Sequence, residues 1–407
     1  MPLIKISLIF VAIILASRYS KVKLWQCLAI GAICLGFMFG MQPYAVFYAV
    51  VSATFSYKTI ELLLVLYGIA VFEYTLRVSG MLSRLIVSLK KIFKDDRFVL
   101  ALLPAFLGFL PAPGGALFSA PLVDEAAKNV NISQEDKSFI NYWYRHIWET
   151  TFPLFPGLIL LTYLADIPLS ILARATFPII LINIASGIYV VFSKKLELKE
   201  SIPAGESYKF NHKAIGELFK NLFPILIIIA GTLFFKINII ILIIGAILWT
   251  FVQAGIKTTA EIKKILVETL YSQNLMLIVA IMIFSKMLED SGAAPQIPKT
   301  FIEWNVPYFF IYMLMPLTLG FFTGINQAFV GMCVPILKQF AGGTLGVNQT
   351  AFLYISGCAG VMLSPVHLCL ILTLNYFKAN IWKFYRMLLV PVLGMLAYAA
   401  AVGAFLK

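Results

Sequence analysis

A short stretch in the first half of the chain, residues 104–119, constrains the fold most strongly. It reads PAFLGFLPAPGGALFS and lies within apolar sequence, yet Pro111, Pro113, Gly114 and Gly115 interrupt any continuous helix. The apolar arms on either side are too short to cross about 30 Å of hydrocarbon, which takes about 20 residues. Broken backbone at that depth is tolerated only inside protein or beside water. The stretch therefore predicts a helical hairpin that enters the membrane and returns to the same side, with a candidate site at its tip.

The spacing of prolines and glycines in this stretch recurs in the second half of the chain. Residues 316–328 read PLTLGFFTGINQA, at an offset of 212 from residue 104 (316 − 104). The pairs aligned by this offset include Ser79 and Ser291, Gly80 and Gly292, Gly108 and Gly320, Ala116 and Ala328, and Pro153 and Pro365. Apolar residues align by chance in such a sequence, but an ordered set of prolines and glycines does not. We therefore predict a two-fold internal repeat, with halves 1–192 and 214–407 joined by a polar connector at 193–213.

The composition indicates the solvent in which the chain folds. It is 61% hydrophobic and 13% charged, and its mean hydropathy is +0.91, which is typical of a multi-pass membrane protein. The net charge of +13 is interpreted as topology signals on cytoplasmic loops. We therefore expect a lipid bilayer as partner, and no nucleic acid.

The motifs predict no cofactor, no metal framework and no enzyme. The five cysteines lie in apolar segments without a CxxC pair, and the three histidines (His146, His212 and His367) lack zinc spacing. The glycine-rich tip lacks the Lys-Ser/Thr pair of a Walker loop, which disfavours ATP-driven transport.

Apolar runs and their interruptions predict the same series of elements in each half. In the first half we expect spans at 3–17, 24–41 and 59–76, a surface helix at 81–97, the hairpin at 97–127, a broken span at 138–165 and a span at 168–192. In the second half we expect spans near 215–235, 237–254 and 272–288, the hairpin at 308–337, a broken span at 350–377 and a span at 384–405. The segments 43–56 and 255–268 are predicted to be interfacial, because the second is amphipathic and too charged to cross. The fold class is thus all-α and polytopic, with about five crossings, one re-entrant hairpin and one interrupted helix in each half.

An odd number of crossings requires the two halves to have opposite orientations. With both termini outside, the cytoplasmic segments hold 22 of the Lys and Arg residues, and six lie outside (Lys5, Lys58, Lys236, Lys299, Lys338 and Lys407). This bias predicts a multi-pass protein of the cell membrane with its connector 193–213 in the cytoplasm.

Inverted repeats that each contain a hairpin and a broken helix are the plan of many secondary transporters. The chain resembles the ion transporter superfamily, which includes divalent anion/sodium symporters, citrate carriers and gluconate permeases. The runs PAPGGALFSAPLVDEAAKN, RHIWE (145–149) and SPVHLCLIL (364–372) resemble an uncharacterised integral membrane family of that superfamily. The resemblance implies a homodimer in which a mobile transport domain moves like an elevator against a scaffold domain. The Ser-Asn-Thr tip motif of the divalent anion symporters is absent, so dicarboxylate specificity is not implied.

The two hairpin tips supply the first candidate site residues. The candidates for substrate binding are Pro113, Gly114, Gly115 and Ser119 in the first tip and Thr323, Asn326 and Gln327 in the second. The first tip offers backbone groups, whereas the side chains of the second suit a carboxylate, a hydroxyl group or Na⁺. The alternative is that the first tip is only a tight turn and that the second satisfies broken backbone.

The broken spans supply further candidates. Those for ion binding are Thr150, Thr151, Pro153 and Ser364, together with Thr323 and Asn326. Prolines free backbone carbonyls that can bind a cation, while half-helix N-termini can face an anion. His367 is either a substrate donor and proton carrier or a satisfied core histidine. We expect both tips and both breaks to meet in one cavity.

Three ionisable residues of the first broken span are candidates for charge or proton transfer. Arg145 and Glu149 are spaced i,i+4 on the predicted helix and can simply pair with each other. Alternatively, Arg145 and His146 hold the charge of an anion and Glu149 carries a proton.

These features predict a secondary active transporter of a small carboxylate-type anion, coupled to Na⁺ or H⁺. One alternative is a cation/proton antiporter of the same fold with Glu149 and His367 in the ion path, and a remote one is an intramembrane hydrolase. An antiporter usually needs buried carboxylates at the breaks, where only Glu149 is present. Neutral oxygens outnumber titratable groups at the predicted site, which favours Na⁺ over H⁺.

Overall fold

The computed structural model of the protein describes residues 2–19, 22–93, 96–109, 114–128, 130–192, 212–270 and 273–404. Pro111 and Pro113 of the first tip lie outside these residues, as does almost all of the predicted connector at 193–213. Within the described ranges the chain forms helices and connecting turns, and no β-strand occurs. The prediction of an all-α polytopic membrane protein is confirmed.

The helices form two series along the chain. Those of the first half are α1 (Pro2–Tyr19), α2 (Leu24–Met38), α3 (Pro43–Thr54), α4 (Tyr57–Val78), α5 (Met81–Ile92), α6 (Asp96–Leu107), α7 (Ala116–Ala126), α8 (Gln134–His146), α9 (Pro156–Ala165), α10 (Leu169–Thr176) and α11 (Pro178–Phe192). Those of the second half are α12 (His212–Leu233), α13 (Ile239–Ala254), α14 (Thr259–Leu270), α15 (Gln273–Asp290), α16 (Gln296–Glu303), α17 (Tyr308–Thr323), α18 (Asn326–Phe340), α19 (Val347–Leu363), α20 (Leu368–Phe377) and α21 (Ile381–Ala404).

The bounds of several helices follow the 212-residue offset. Adding 212 to the bounds of α9 gives 368–377, which are the bounds of α20. Adding it to the combined range of α10 and α11 gives 381–404, the bounds of α21. The short helix α16, which the sequence analysis did not anticipate, falls where the offset places the middle of α5.

In the described part of the chain, five helices are long and apolar enough to cross a membrane. They are Tyr57–Val78, Leu169–Val191 (α10 with α11), His212–Leu233, Val347–Phe377 (α19 with α20, across the break at Ser364) and Ile381–Ala404. A sixth results when α14 and α15 are taken as one bent span. Other predicted spans coincide with shorter apolar helices, among them α1, α2 and α13. Helices of that length reach across the hydrocarbon only together with their flanking residues or where the bilayer thins.

The helices pack in two groups, each containing parts of both halves. In the first group α2 packs on α15, α4 on α13 and α5 on α12. In the second group α6 packs on α8, α17 on α19, and α19 on α21. The groups meet where α15 and α16 contact α18, α4 contacts α9, α5 contacts α6 and α10 contacts α12.

In the second group, the helix after the tip of one half packs on the helix after the break of the other half. The helix after the first tip, α7, packs on α20, the helix after the second break. The helix after the second tip, α18, packs on α9, the helix after the first break. The helix after each tip therefore packs on the helix after the break of the other half, which brings the described parts of these four segments together.

Candidate functional site

Four helices begin around one cavity in the second group. The cavity has a volume of about 230 Å³ and is lined by residues at or beside the starts of α7, α9, α18 and α20. The lining residues at these starts are Gly114, Phe155, Pro156, Gly157, Ile325, Asn326, Gln327, His367, Leu368 and Cys369. The first turn of a helix carries backbone N–H groups without intrahelical partners and the positive end of the helix dipole. The cavity thus has four sources of partial positive charge in its wall.

The local sequence explains where these helices begin. Pro156 is the first residue of α9, where a proline costs no helical hydrogen bond. Gly324 ends α17 in the left-handed conformation, with φ of 65°, and α18 begins two residues later. Ser364 is extended with ψ of 122°, as a residue before a proline tends to be, and it ends α19.

The first break begins earlier than the sequence predicts. Arg145 and His146 end α8, and the Glu149 amide donates to the His146 carbonyl across a turn at 3.1 Å. Glu149 therefore lies beyond the helix, and the predicted i,i+4 helical spacing of Arg145 and Glu149 is wrong. The turn lets the Glu149 carboxylate reach a residue of the other half.

An amide–carboxylate hydrogen bond joins the first break to the second tip. Asn326 Nδ2 donates to Glu149 Oε2 at 2.8 Å. Because a carboxylate only accepts, the donor side of the Asn326 amide must face Glu149, and its Oδ1 faces away. This Oδ1 atom is buried and has no hydrogen-bond donor among the described residues.

Two histidines from opposite halves face each other in the cavity. His146 Nε2 and His367 Nε2 lie 3.1 Å apart. His146 Nδ1 lies 2.5 Å from the Tyr142 carbonyl oxygen, and His367 Nδ1 lies 2.7 Å from that of Gly324. The other oxygen of Glu149, Oε1, is 3.8 Å from His146 Nε2.

Arg145 is a buried cation on the wall of the cavity. Its residue is only 6% exposed, and its Nη1 donates to the Leu107 carbonyl at 3.2 Å. The backbone of Gly108 lies so close that a Cβ atom there would come within 2.3 Å of the Arg145 carbonyl oxygen. Glycine at this position therefore allows the arm of the first tip to pack on the end of α8.

Close packing at a second glycine positions Asn326. A Cβ atom on Gly157 would lie 2.7 Å from Asn326 Cβ and 3.1 Å from the Tyr354 hydroxyl oxygen. That hydroxyl donates to the Glu149 carbonyl at 3.0 Å. The start of α9 therefore needs a glycine so that Glu149, Asn326 and Tyr354 can meet.

The structure brings about half of the sequence-predicted candidates to the cavity. Those that line it are Gly114, Arg145, His146, Glu149, Asn326, Gln327 and His367. Those that do not are Gly115, Ser119, Thr150, Thr151, Pro153, Thr323 and Ser364. Several of the latter hydroxyls bond the backbone instead: Ser119 donates to Ala116, Thr151 to Thr176 and Thr323 to Leu319. Pro113 lies outside the described residues.

Cys369 is the main lining residue that the sequence analysis missed. Its sulfur lies within 4.8 Å of a ring nitrogen of each cavity histidine. The only sequence signal is its position two residues after His367 at the start of α20. Asn274, from α15 of the first helix group, also lines the cavity and was not predicted.

A second, larger cavity lies elsewhere, at the ends of α4, α9 and α13. Its volume is about 630 Å³, and Lys58, Asp166 and Lys236 are among its lining residues. None of the predicted site residues that the structure describes lines it, and the breaks described above do not reach it. We therefore take the smaller cavity as the candidate site.

Comparison with solved structures finds a protein of similar fold. The crystal structure of the YdaH transporter of Alcanivorax borkumensis, described as having an unusual topology, matches with a TM-score of 0.59 at 12% identity, over 88% of this chain and 87% of that one. The similarity is one of fold. No curated protein sequence matches the chain. A family model matches residues 3–405, and the chain therefore belongs to the family described as "Protein of unknown function (DUF401)".

Proposed function

We propose that the protein is a secondary active transporter of a small carboxylate-type anion, driven by a gradient of Na⁺ or H⁺. The observation that carries this proposal is the cavity at which four helix N-termini and the buried Arg145 meet. Helix N-termini and a guanidinium both favour an anionic ligand. The similarity of the fold to a transporter supports transport over catalysis.

The size of the cavity favours a small cargo. Sites for drug-sized ligands usually have volumes of about 300–1,000 Å³, whereas this cavity has about 230 Å³. Its polar groups come from both halves, so a single anion would contact both breaks at once. A carboxylate of a few heavy atoms fits these limits.

Na⁺ remains the favoured coupling ion. The Asn326 amide oxygen is buried without a donor, and a neutral oxygen of this kind is a good ligand for a hard cation. The cation/proton antiporter has weaker support, because Glu149 is the only carboxylate among the described residues that line the cavity, and Asn326 already bonds it.

The arrangement of helices supports an elevator-type mechanism. The cavity lies mainly within the second helix group, which contains both tips and both breaks, while the first group supplies Asn274. We propose that the second group moves as the transport domain against the first as scaffold, within a homodimer. Membership of the ion transporter superfamily is part of the same proposal.

The decisive experiment is uptake by proteoliposomes containing the full chain. A library of labelled small carboxylates is presented with an imposed Na⁺ gradient, with a pH gradient, and with neither. We expect one class of carboxylate to accumulate in response to the Na⁺ gradient and to compete with its analogues. Accumulation of inorganic cations in exchange for protons, without uptake of any carboxylate, would support the antiporter instead.

The proposed orientation of the two halves has a separate test. Single cysteines at Lys264, predicted inside, and at Lys236 and Lys299, predicted outside, are labelled in whole cells with an impermeant thiol reagent, in a background without native cysteines. We expect labelling at Lys236 and Lys299 only. Labelling of Lys264 alone would reverse the orientation, and equal labelling of all three would contradict the inverted repeat.

A further inference from the structure

Three side chains with metal-ligand chemistry meet in the cavity. They are His146 at the end of α8, and His367 and Cys369 at the start of α20. One nitrogen of each imidazole and the Cys369 sulfur all lie within 4.8 Å of one another. His146 and Cys369 are buried, and His367 is partly buried. The proposed function, which relies on Arg145 and the helix N-termini, gives these three side chains no role.

The hydrogen bonds of the two histidines fix their tautomers. Each Nδ1 atom faces a backbone carbonyl oxygen, Tyr142 for His146 and Gly324 for His367. A carbonyl only accepts, so each Nδ1 must carry the hydrogen. In the neutral rings both Nε2 atoms are then unprotonated, and their lone pairs face each other at 3.1 Å. Two facing lone pairs at that distance repel, and a cation bound by both nitrogens removes the repulsion.

A hydrogen bond from Nδ1 to a backbone carbonyl is also what commonly surrounds a histidine that binds a metal through Nε2. Histidine ligands commonly donate the second ring N–H to a backbone carbonyl or a carboxylate, which orients the ring and raises its basicity. Here both rings are held in this way, from opposite halves of the chain. Tetrahedral zinc with bonds of about 2.0–2.1 Å to nitrogen places two such nitrogens a little over 3 Å apart, close to the observed 3.1 Å.

The third group identifies the class of cation. A thiolate beside two imidazoles is a borderline-to-soft ligand set that favours Zn²⁺ and related transition metals over Na⁺, Mg²⁺ or Ca²⁺. We propose that His146, His367 and Cys369 bind one divalent transition-metal ion of the zinc class, with the fourth position open to the cavity. This proposal departs from the sequence analysis, which predicts no metal framework because the cysteines form no CxxC pair and the histidines lack zinc spacing. Local spacing cannot reveal this site, since His146 and His367 lie 221 residues apart (367 − 146).

The charges of the site fit such an ion. A Cys369 thiolate and the Glu149 carboxylate together carry two negative charges, and Arg145 carries one positive charge, so the side chains leave one negative charge. A divalent metal changes this to one positive charge, and an oxygen of an anion can then take the fourth position. This last clause rests on the proposed function, whereas the metal site itself does not.

The test uses purified full-length protein in lipid nanodiscs, stripped with a chelator. Zn²⁺ binding is measured by calorimetry, and Co²⁺ binding by optical absorption, in which a thiolate ligand gives a sulfur-to-metal charge-transfer band. The site variants are Cys369→Ser, His146→Gln and His367→Gln. Matched controls are Cys333→Ser, a buried cysteine of α18, and His212→Gln at the start of α12.

We expect one metal ion per chain, and a charge-transfer band that Cys369→Ser abolishes. Loss of an outer-shell partner alone costs about 10–100-fold in affinity, so each site variant should weaken binding at least that much. The controls should bind as the wild type does. Absence of binding by the wild type would overturn the proposal and indicate a shared proton between the histidines, and unchanged binding by Cys369→Ser would overturn it equally.

A second measurement does not depend on the folding of the variants. In a chain whose only cysteine is Cys369, Zn²⁺ should slow the reaction of the thiol with an alkylating reagent at least tenfold, and Mg²⁺ should not. Equal rates with both ions would contradict the proposal. Neither measurement involves transport, so failure of the metal site leaves the uptake assay to decide the proposed function independently.

Discussion

The two broken segments carry their polar groups on opposite sides of the break. In the first, Arg145, His146 and Glu149 precede α9. In the second, His367 and Cys369 lie at the start of α20, after the break. The 212-residue offset pairs Arg145 with Gly357, His146 with Cys358, Glu149 with Val361, His367 with Phe155 and Cys369 with Gly157. Each polar residue of one half thus corresponds to a small, apolar or weakly polar residue of the other.

The hairpin tips also differ, because only one of each equivalent pair of residues has a polar side chain. Gly114 and Gly115 of the first tip correspond to Asn326 and Gln327 of the second. Among the described tip residues, the first tip therefore brings backbone to the cavity wall and the second brings amide side chains. Related backbones can thus build one asymmetric cavity, because residues without bulk in one half leave room for functional groups of the other. Gly157, against which Asn326 packs, is the clearest case.

The largest effect, on stability, is expected at two equivalent glycines that make the same close contact in both halves. A Cβ on Gly108 would lie 2.3 Å from the Arg145 carbonyl oxygen, and one on Gly320 would lie 2.3 Å from that of Gly357, the equivalent contact. Backbone atoms cannot move aside cheaply, so Gly108→Ala and Gly320→Ala should each lower stability by about 3 kcal/mol, at the upper end for overpacking. Thermal unfolding in detergent measures this.

The matched control is Gly245→Ala in α13, where no atom lies within 4 Å of the added methyl group. Alanine is the better helix former there, so its stability should be unchanged or slightly raised. A tolerated Gly320→Ala beside a damaging Gly108→Ala would show that the two contacts are not equivalent.

The next largest effect, on the affinity for the anion, is expected at Arg145, where the two halves differ most. Replacing Arg145 by Gln removes the buried cation while keeping a donor for Leu107. Hydrogen bonds to charged groups are worth about 1.5–3 kcal/mol, so under the proposed function the apparent affinity for the anion should fall by about 10–100-fold. Competition uptake in proteoliposomes measures it.

Arg174→Gln serves as the control, because Arg174 is exposed in α10 and donates to the Leu233 carbonyl, away from the cavity. It should leave the anion affinity unchanged. Equal losses in both variants, or none in Arg145→Gln, would remove Arg145 from the binding site.

The sequence predicted the backbone of this site better than its side-chain geometry. Prolines and glycines report helix ends directly, which is why the break near Ser364 and the second tip at Gly324 agree with the helix bounds. Local patterns do not report contacts across more than two hundred residues. The pairing of His146 with His367, and the place of Cys369 beside them, depend on how the halves dock.

Hydroxyl groups were the weakest part of the prediction for the same reason. Thr151, Thr323 and Ser119 are candidate ligands in the sequence because they are polar residues near helix breaks. In a membrane-embedded helix, however, a hydroxyl satisfies itself most easily on a carbonyl three or four residues earlier. Ser119 and Thr323 do so, and Thr151 bonds the carbonyl of Thr176. Only tertiary structure distinguishes such a residue from a ligand.

A moderate effect, on the Na⁺ dependence of uptake, is expected from substitutions in the hairpin tips. Asn326→Ala removes the hydrogen bond to Glu149 and the buried Oδ1. A lost buried hydrogen bond costs about 1–3 kcal/mol, so the Na⁺ concentration for half-maximal uptake should rise about tenfold. Gly114→Asn is the reciprocal change at the first tip, where φ is 68° and asparagine tolerates the left-handed conformation.

A Cβ atom at Gly114 would lie 3.3 Å from Leu372, so the maximal uptake by Gly114→Asn should fall. The Na⁺ concentration for half-maximal uptake should stay near that of the wild type, since the first tip is proposed to contribute backbone only. A loss of Na⁺ dependence in Gly114→Asn but not in Asn326→Ala would reverse the roles assigned to the two tips.

The smallest effect is expected at Asp166 and Lys378, the equivalent residues that end α9 and α20. Both are left-handed, with φ of 57° and 52°, but their charges are opposite. Asp166 pairs with Lys58 and, at 2.6 Å, with Lys338. Burial raises the pKa of Asp166, but the hydrogen bonds from Lys338 and Lys58 outweigh it, so the pKa lies below its usual value.

A lowered pKa means that the stabilisation is present above the unfolded-state pKa of about 3.9 and is lost as the pH falls through the folded-state pKa. Because the carboxylate is half exposed, Asp166→Asn should cost less than about 1 kcal/mol at pH 7. The difference in thermal stability from the wild type should therefore narrow towards pH 3. Lys378→Met, at the equivalent turn, should show a difference that does not change over this range, and a constant difference for Asp166→Asn would show that its ion pairs contribute nothing.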